Sequence, residues 1–266
     1  MLTRKQREWL AGVIDGDGNF DIRKINNKKV LKTIRIVQSV RDINILNQVK
    51  NLLKGGKIRK HTKTTFVYCI SNKELMEFCV NMINGNIRIK IDNFIFVCEY
   101  LNIKFIEPNY IIQKNSSYFA GLIDTDGSIV FNYEGNRIDL FLEFKRTKYT
   151  LKLDFSNVIS NIDCKVYKFI KRNQNREKIF YSIRFAFANK KNMLLIHDYF
   201  RYHRLYSEFK FFRVMKIKEF LEIRHFKNYL ENSLEYKIYH KFLYKFFIYR
   251  NESEKLPSFI KIKFFS

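Results

Sequence analysis

The sequence predicts an α+β fold made of two pseudo-symmetric halves, each reading α-β-β-α-β-β-α. Three observations lead there. A segment recurs 109 residues on: residues 9–20 read Trp-Leu-Ala-Gly-Val-Ile-Asp-Gly-Asp-Gly-Asn-Phe, and residues 118–129 read Tyr-Phe-Ala-Gly-Leu-Ile-Asp-Thr-Asp-Gly-Ser-Ile, identical at six positions. Each copy is followed by stretches of alternating polarity separated by turn residues. Hydrophobic residues make up 46% of the 266, with 27 Phe and 16 Tyr, ample for a packed core and inconsistent with general disorder.

Each copy opens with an apolar run that reads as a helix stopped by a glycine just past its end, Gly18 or Gly127. After Gly18 a hairpin is expected, Asn19–Lys24 and Val30–Gln38 around Asn26-Asn27-Lys28. A helix over Asp42–Lys54 follows, capped by Gly55-Gly56, then strands Lys57–His61 and Thr65–Ile70 and a helix Lys73–Ile83. In the second half the hairpin is Ser128–Tyr133 and Ile138–Arg146 around Glu134-Gly135-Asn136. The middle helix is expected over Tyr149–Ile159, then strands Lys165–Lys171 and Lys178–Ala188 and a helix Lys190–Tyr202. The expected divisions are a first half over 1–107, a linker over 108–117 opened by Pro108, a second half over 118–250, and a basic tail over 251–266 that no element claims.

Lys and Arg total 50 against 26 acids, a net charge of +24. Self-repulsion of that size invites a polyanionic partner. Nucleic acid leads, an anionic membrane surface comes second, and a basic surface with no partner is the bland alternative in a composition of A/T-rich coding character. No apolar run is long enough for a transmembrane helix, and Asp15 and Asp17 in the first apolar segment argue against a signal peptide. The four cysteines form no CxxC pair and read as buried free thiols.

The repeat carries its own chemistry. Gly12 and Gly16 share a helix face, as do Gly121 and Thr125, and small residues at that spacing let two helices approach closely. If the helices pair in parallel, Asp17 and Asp126 meet at the negative ends of two helix dipoles. A positive group must compensate, and a divalent metal is the natural candidate. An EF-hand is excluded, because its sixth and twelfth positions would be Phe20 and Asn26, or Ile129 and Gly135.

Both segments resemble the LAGLIDADG motif, as Leu10-Ala11-Gly12-Val13-Ile14-Asp15-Gly16-Asp17-Gly18 and Phe119-Ala120-Gly121-Leu122-Ile123-Asp124-Thr125-Asp126-Gly127. The chain is similar, over roughly residues 5–250, to the single-chain, two-motif homing endonucleases encoded in organellar introns. The resemblance implies a saddle of two four-stranded antiparallel sheets in the DNA major groove, with the motif helices packed at its centre. It implies cleavage of both strands across the minor groove, leaving 3′ overhangs, by a monomer using two or three Mg²⁺, with Mn²⁺ or Ca²⁺ able to replace them in binding. Asp17 and Asp126 would bind metal, assisted by the carbonyls of Gly16 and Thr125. Lys90 and Lys210 match the family's supporting lysines, the alternative being ordinary phosphate contacts. Gln38 matches a glutamine near a metal-bound water; its counterpart by sequence offset is Arg146, which cannot accept a hydrogen bond, with Asn157 as a competing candidate. Asp15 and Asp124 read as structural or solvated.

Base reading is expected from alternate hairpin positions: Asn19, Asp21, Arg23, Lys32, Arg35 and Arg59, then Ser128, Asn132, Arg137, Glu143, Lys165, Lys168 and Arg184. The halves differ in sequence, so the target would be a long, roughly pseudo-palindromic duplex. The competing readings are an intron maturase binding RNA on the same fold, with or without cleavage, and a catalytically dead DNA-binding module. Composition suits an organelle, mitochondrion ahead of chloroplast.

Overall fold

The computed structural model describes residues 2–172 and 179–250. The first half contains α1 (Arg4–Asp17), β1 (Gly18–Ile25), β2 (Lys28–Ser39), α2 (Ile43–Leu53), β3 (Lys57–Lys60), β4 (Thr65–Ile70), α3 (Lys73–Ile83) and α4 (Ile91–Tyr100). The second contains α5 (Tyr118–Thr125), β5 (Gly127–Asn132), β6 (Arg137–Lys145), β7 (Lys165–Arg172), β8 (Ile179–Phe187), α6 (Lys190–Tyr202), α7 (Glu208–Met215), α8 (Ile217–Ile223) and α9 (Leu234–Arg250). Two antiparallel four-stranded sheets result, ordered β1-β2-β4-β3 and β5-β6-β8-β7. The α+β class and both hairpins stand as expected. The tail from residue 251 lies outside the described residues.

Local chemistry sets the boundaries. Thr3 and Gln6 form a reciprocal capping box that starts α1. Asn26 and Asn27, both at positive φ, make the two-residue turn that matches strand twist in the first hairpin. Asn72 and Asn189 cap α3 and α6 through their side chains. One side of each sheet is apolar and buried: Phe20, Ile34, Ile36, Tyr68 and Ile70 in the first, Ile129, Leu140, Leu142, Ile183 and Phe185 in the second. The helices pack there, as where Phe119 of α5 meets Phe155, Phe187, Tyr199 and Phe200 with ring centroids 5.4–5.9 Å apart. The opposite, open sides carry the alternate polar residues.

Three local expectations are corrected. The second half has no middle helix: residues 149–162 form turns. Side chains there take the backbone groups a helix needs, as Thr147 and Thr150 cap each other's N–H groups and Asp154 accepts from the Ser156 N–H. The carbonyls of Asp154 and Val158 accept instead from Ile112 and Asn115, tying this stretch to residues 110–115. Second, α2 ends on Lys54 in the left-handed region (φ 55°), with Gly56 two residues on supplying a second positive φ beneath the Tyr68 ring. Third, Gly18 is extended rather than left-handed (φ −73°). It is required because a Cβ would stand 2.7 Å from Ile14 Cα, and Gly127 meets Ile123 in the same way.

A candidate nuclease centre between the motif helices

The motif helices α1 and α5 run parallel. Gly12 packs on Tyr118, Gly121 and Leu122; Gly121 packs on Trp9, Gly12 and Val13; and Gly16 faces Thr125. A Cβ on Gly12 would lie 3.0 Å from Gly121 Cα, so no side chain fits there. The glycine face predicted from spacing is thus what brings the two helices together.

The first acid of each motif is structural and buried, at 2% exposure for Asp15 and 1% for Asp124, rather than solvated. Each reaches across the helix pair. Asp15 accepts from Tyr118 Oη at 2.7 Å, and Asp124 accepts from Trp9 Nε1 at 2.8 Å. Each also ties down the chain that carries the lysine of its own half. Asp15 accepts from the backbone N–H of Arg88 and Lys90, and Asp124 from those of Tyr206 and Ser207. Burial pushes the Asp124 carboxyl up to about 6 and raises that of Asp15, while these donors pull the other way. Trp9 and Tyr118 were missed by sequence reading, although they stand at the same 109-residue spacing as the motif itself.

The second acids, Asp17 and Asp126, come to the adjoining C-terminal ends of α1 and α5. Burial raises both: the Asp126 carboxyl is pushed up to about 6, first by burial and then by the charge of Asp17, while Asp17 is raised by burial and by the charge of Asp42, against the pull of Gln38 and the two lysines. Asp17 accepts a 2.7 Å hydrogen bond from Gln38 Nε2. Among the described residues no hydrogen bond reaches the Asp126 carboxylate.

Both lysines point their ammonium groups at the motif helices. Lys90 Nζ donates to the carbonyls of Ile14 (2.9 Å), Gly16 (2.6 Å) and Gly18. Lys210 Nζ donates to those of Ile123 (2.8 Å), Asp124 (2.9 Å) and Thr125 (2.7 Å). Each ammonium therefore spends all three donors on the open end of a motif helix. There it offsets the dipole that the acids oppose. Burial lowers both lysine pKa values, against the pull of the nearby carboxylates.

Strand register corrects one pairing. Gly18 stands opposite Ile36 and Gly127 opposite Leu142, so the residue two beyond, Gln38 in β2, corresponds to Phe144 in β6. Both are 7% exposed. Arg146 lies two residues further on, with its guanidinium stacked 4.5 Å from the Tyr181 ring. The sequence offset fails because the second hairpin is shorter and lacks the bulge after Asp21. Asn157 lies exposed in the irregular 149–162 stretch.

A further carboxylate was also missed. Asp42 is buried, accepts from Ser39 Oγ (2.9 Å) and from Ser207 Oγ across the halves (2.5 Å), and so links the end of β2 to the cap of α7. The matching corner of the second half reaches back through Tyr149 and Lys148 to Asp92 of α4, but at an exposed site.

The proposed base-reading residues divide by parity. Asn19 stands opposite Arg35, and Arg59 opposite Val67, all on the open side. Asp21 binds Arg23 (2.9 Å) and Arg35 (3.4 Å), which hold its carboxyl below the usual range. Lys32 is the extra residue at the bulge and is exposed. In the second sheet Ser128, Asn132, Arg137, Glu143, Lys165 and Arg184 share the open side. Although burial pushes the Glu143 carboxyl up, Lys171 and Arg184 hold it down to about 2. Lys168 is the exception: it pairs with Ile183, whose side chain is in the core, so period-2 alternation puts it on the other side from Lys165.

The donors at the helix ends suit a hard cation. They are all oxygens, two carboxylates and backbone carbonyls, and the Asp126 carboxylate has no protein donor among the described residues. No cluster of three metal-binding side chains occurs among those residues. The carbonyls of Gly16 and Thr125 each accept from a lysine and keep a second lone pair, so they stand beside Asp17 and Asp126 as further oxygen donors.

Duplicated motif, paired acids, lysine-capped helix ends and twin four-stranded sheets define a two-motif nuclease-type fold. The comparisons agree. The LAGLIDADG endonuclease family model matches residues 10–101. An intron-encoded DNA endonuclease, ai2a of Dictyostelium discoideum, is 27% identical over 98% of this chain and 82% of its own. The intron-encoded RNA maturase bI4 of Saccharomyces cerevisiae is 39% identical over 48% of this chain, which spans 20% of that protein. The crystal structure of the I-SmaMI LAGLIDADG homing endonuclease bound to cleaved DNA superposes with TM-score 0.59 at 14% identity, covering 96% of this chain and 97% of that one. The fold is therefore shared well beyond sequence similarity. The first half, over residues 10–101, thus carries the LAGLIDADG endonuclease signature, and the whole chain is similar to intron-encoded endonucleases of that kind.

Proposed function

We propose that this protein is an intron-encoded, site-specific DNA endonuclease that hydrolyses one phosphodiester in each strand across the minor groove and leaves 3′ overhangs. The observation that carries this reading is the pair Asp17 and Asp126, 109 residues apart in sequence and neighbours at the ends of parallel helices. Divalent cations, Mg²⁺ in the cell, would be held by these two carboxylates. When bound, such a cation supplies a Lewis acid and a water of lowered pKa.

The chain's own groups do the rest. Asp17 and Asp126 fix the reacting centre between the halves. Lys90 and Lys210 contribute fixed positive potential rather than mobile protons, since every N–H is already donated to a carbonyl. Gln38 orients the Asp17 carboxylate, so the first site is preorganised in a way the second is not. The open sides of the sheets, rich in Arg, Lys and Asn, take a long, roughly pseudo-palindromic duplex whose affinity falls steeply with salt. The linker over 108–117 joins the halves into a working monomer. The intron-encoded character of the relatives supports a mitochondrial site of action.

The similarity to an RNA maturase favours one second reading, splicing assistance by the same chain, with or without cleavage. A plasmid carrying the uninterrupted host-gene sequence, incubated with Mg²⁺, tests the first. Linear product is expected from the wild type and none from Asp17→Asn, with binding retained. Linear product that survives Asp17→Asn would remove the proposed metal role.

A further inference from the structure

The open sides of the two sheets differ in a way that duplex recognition does not use. Among the described residues the first sheet presents no aromatic side chain on that side; its alternate positions are Asn19, Asp21, Thr33, Arg35, Val37, Thr65, Val67, Cys69, Lys57 and Arg59. The second presents Phe141, Tyr167, Phe169 and Phe180, whose partners across the strands are Ala186, Arg184, Ser182 and Lys171. Tyr167 and Phe169 lie 6.2 Å apart with planes inclined by 25°. Tyr167 is 45% exposed and Phe180 52%.

The cations around these rings are arranged to keep them available. Arg184 fills the gap between Phe141 (4.6 Å) and Phe169 (4.9 Å), with its charge set against Glu143. Lys145 and Lys165 flank the rings on the same side and are exposed. Leaving Tyr167 and Phe180 in water forgoes burial of large apolar surface. Paired bases within a groove offer a protein their edges; only an unstacked base offers a flat face to a ring. A four-stranded antiparallel sheet with surface aromatics flanked by cations suits extended single strands.

We propose that the open side of the second sheet binds unpaired nucleotides, with bases stacking on Tyr167 and Phe180 and backbone phosphates lying against Lys145 and Lys165. This site goes beyond duplex cleavage and does not depend on it. The chemistry is common to single-stranded RNA and single-stranded DNA, so both are tested.

Oligonucleotides of one sequence, as single-stranded RNA, single-stranded DNA and duplex DNA, each with one 2-aminopurine, are titrated against the full chain. Stacking quenches the probe in the single strands. Tyr167→Leu/Phe180→Leu should raise Kd for single strands about tenfold or more and abolish the quench. The melting temperature of the same preparation should be unchanged. Tyr167→Phe keeps the ring and should keep the affinity, which separates stacking from loss of fold. Tighter RNA than DNA binding would identify a transcript as the ligand; the reverse would identify a displaced DNA strand. The proposal is overturned if single-strand affinity ignores the loss of both rings, or if single-strand and duplex binding fall together. Failure of duplex cleavage in the wild type would overturn the endonuclease reading and leave this one standing.

Discussion

The two halves use one device for their lysines and two for their acids. Lys90 and Lys210 sit in matching cages of three carbonyls, although Lys90 immediately precedes α4 and Lys210 is the third residue of α7. The acids are treated differently: Asp17 is held by Gln38, whereas Asp126 has Phe144 at the corresponding strand position. The corners that cross between halves differ as well, with Asp42 buried against Ser207 and Asp92 exposed beside Tyr149. Duplication preserved what closes the helix ends and let the shell around each acid diverge. The two strands of a target should therefore be cut by similar charges at unequal rates.

The strongest way to break that comparison is to remove one acid at a time. Asp17→Asn and Asp126→Asn should each lower double-strand cleavage by about 10³-fold or more, leaving nicks in opposite strands on a strand-labelled duplex. Identical nicks from both variants would refute two half-sites. Neutralising the lysines comes next. Lys90→Met and Lys210→Met should each cost about 10²-fold in single-turnover rate, with similar losses because the cages match. Exchanging the residues that differ sharpens the comparison further. Gln38→Phe should slow its own strand about tenfold, and Phe144→Gln should change the other strand less, because the surrounding shell remains apolar.

The smallest effect concerns Glu143. Its carboxyl is held down to about 2, so its contribution to stability is present above its ordinary value of 4.5 and is lost as pH falls through about 2. Glu143→Gln should lower stability at pH 7 by less than about 1 kcal/mol, given its partial exposure. The gap between the two melting curves should close between pH 4.5 and 2. Asp21→Asn should show a smaller version of the same behaviour.

Much of this was legible because the repeat has its own internal check. The motif helices, both hairpins, α3 and α6 follow from periodicity and caps, and the helix pairing follows from Gly12 and Gly121. What was not legible depends on partners distant in sequence. The 149–162 stretch has apolar spacing compatible with a helix, but its carbonyls are claimed by residues 110–115. The Gln38 counterpart needs the bulge and turn lengths, which shift register by whole residues. Lys168 fell on the wrong side for a simpler reason: it stands three residues from Lys165, an odd spacing in a period-two element.

The bonds from Tyr118 to Asp15 and from Trp9 to Asp124 have a bearing on ancestry and engineering. A homodimer of the first half alone would have to seat an indole where a phenol hydroxyl now reaches Asp15, and a homodimer of the second would have the converse problem. The two halves thus carry complementary keys that favour each other over themselves. Chimaeras assembled from different relatives should tolerate exchange of sheets readily, yet require that the aromatic donor and its acid travel as a matched set.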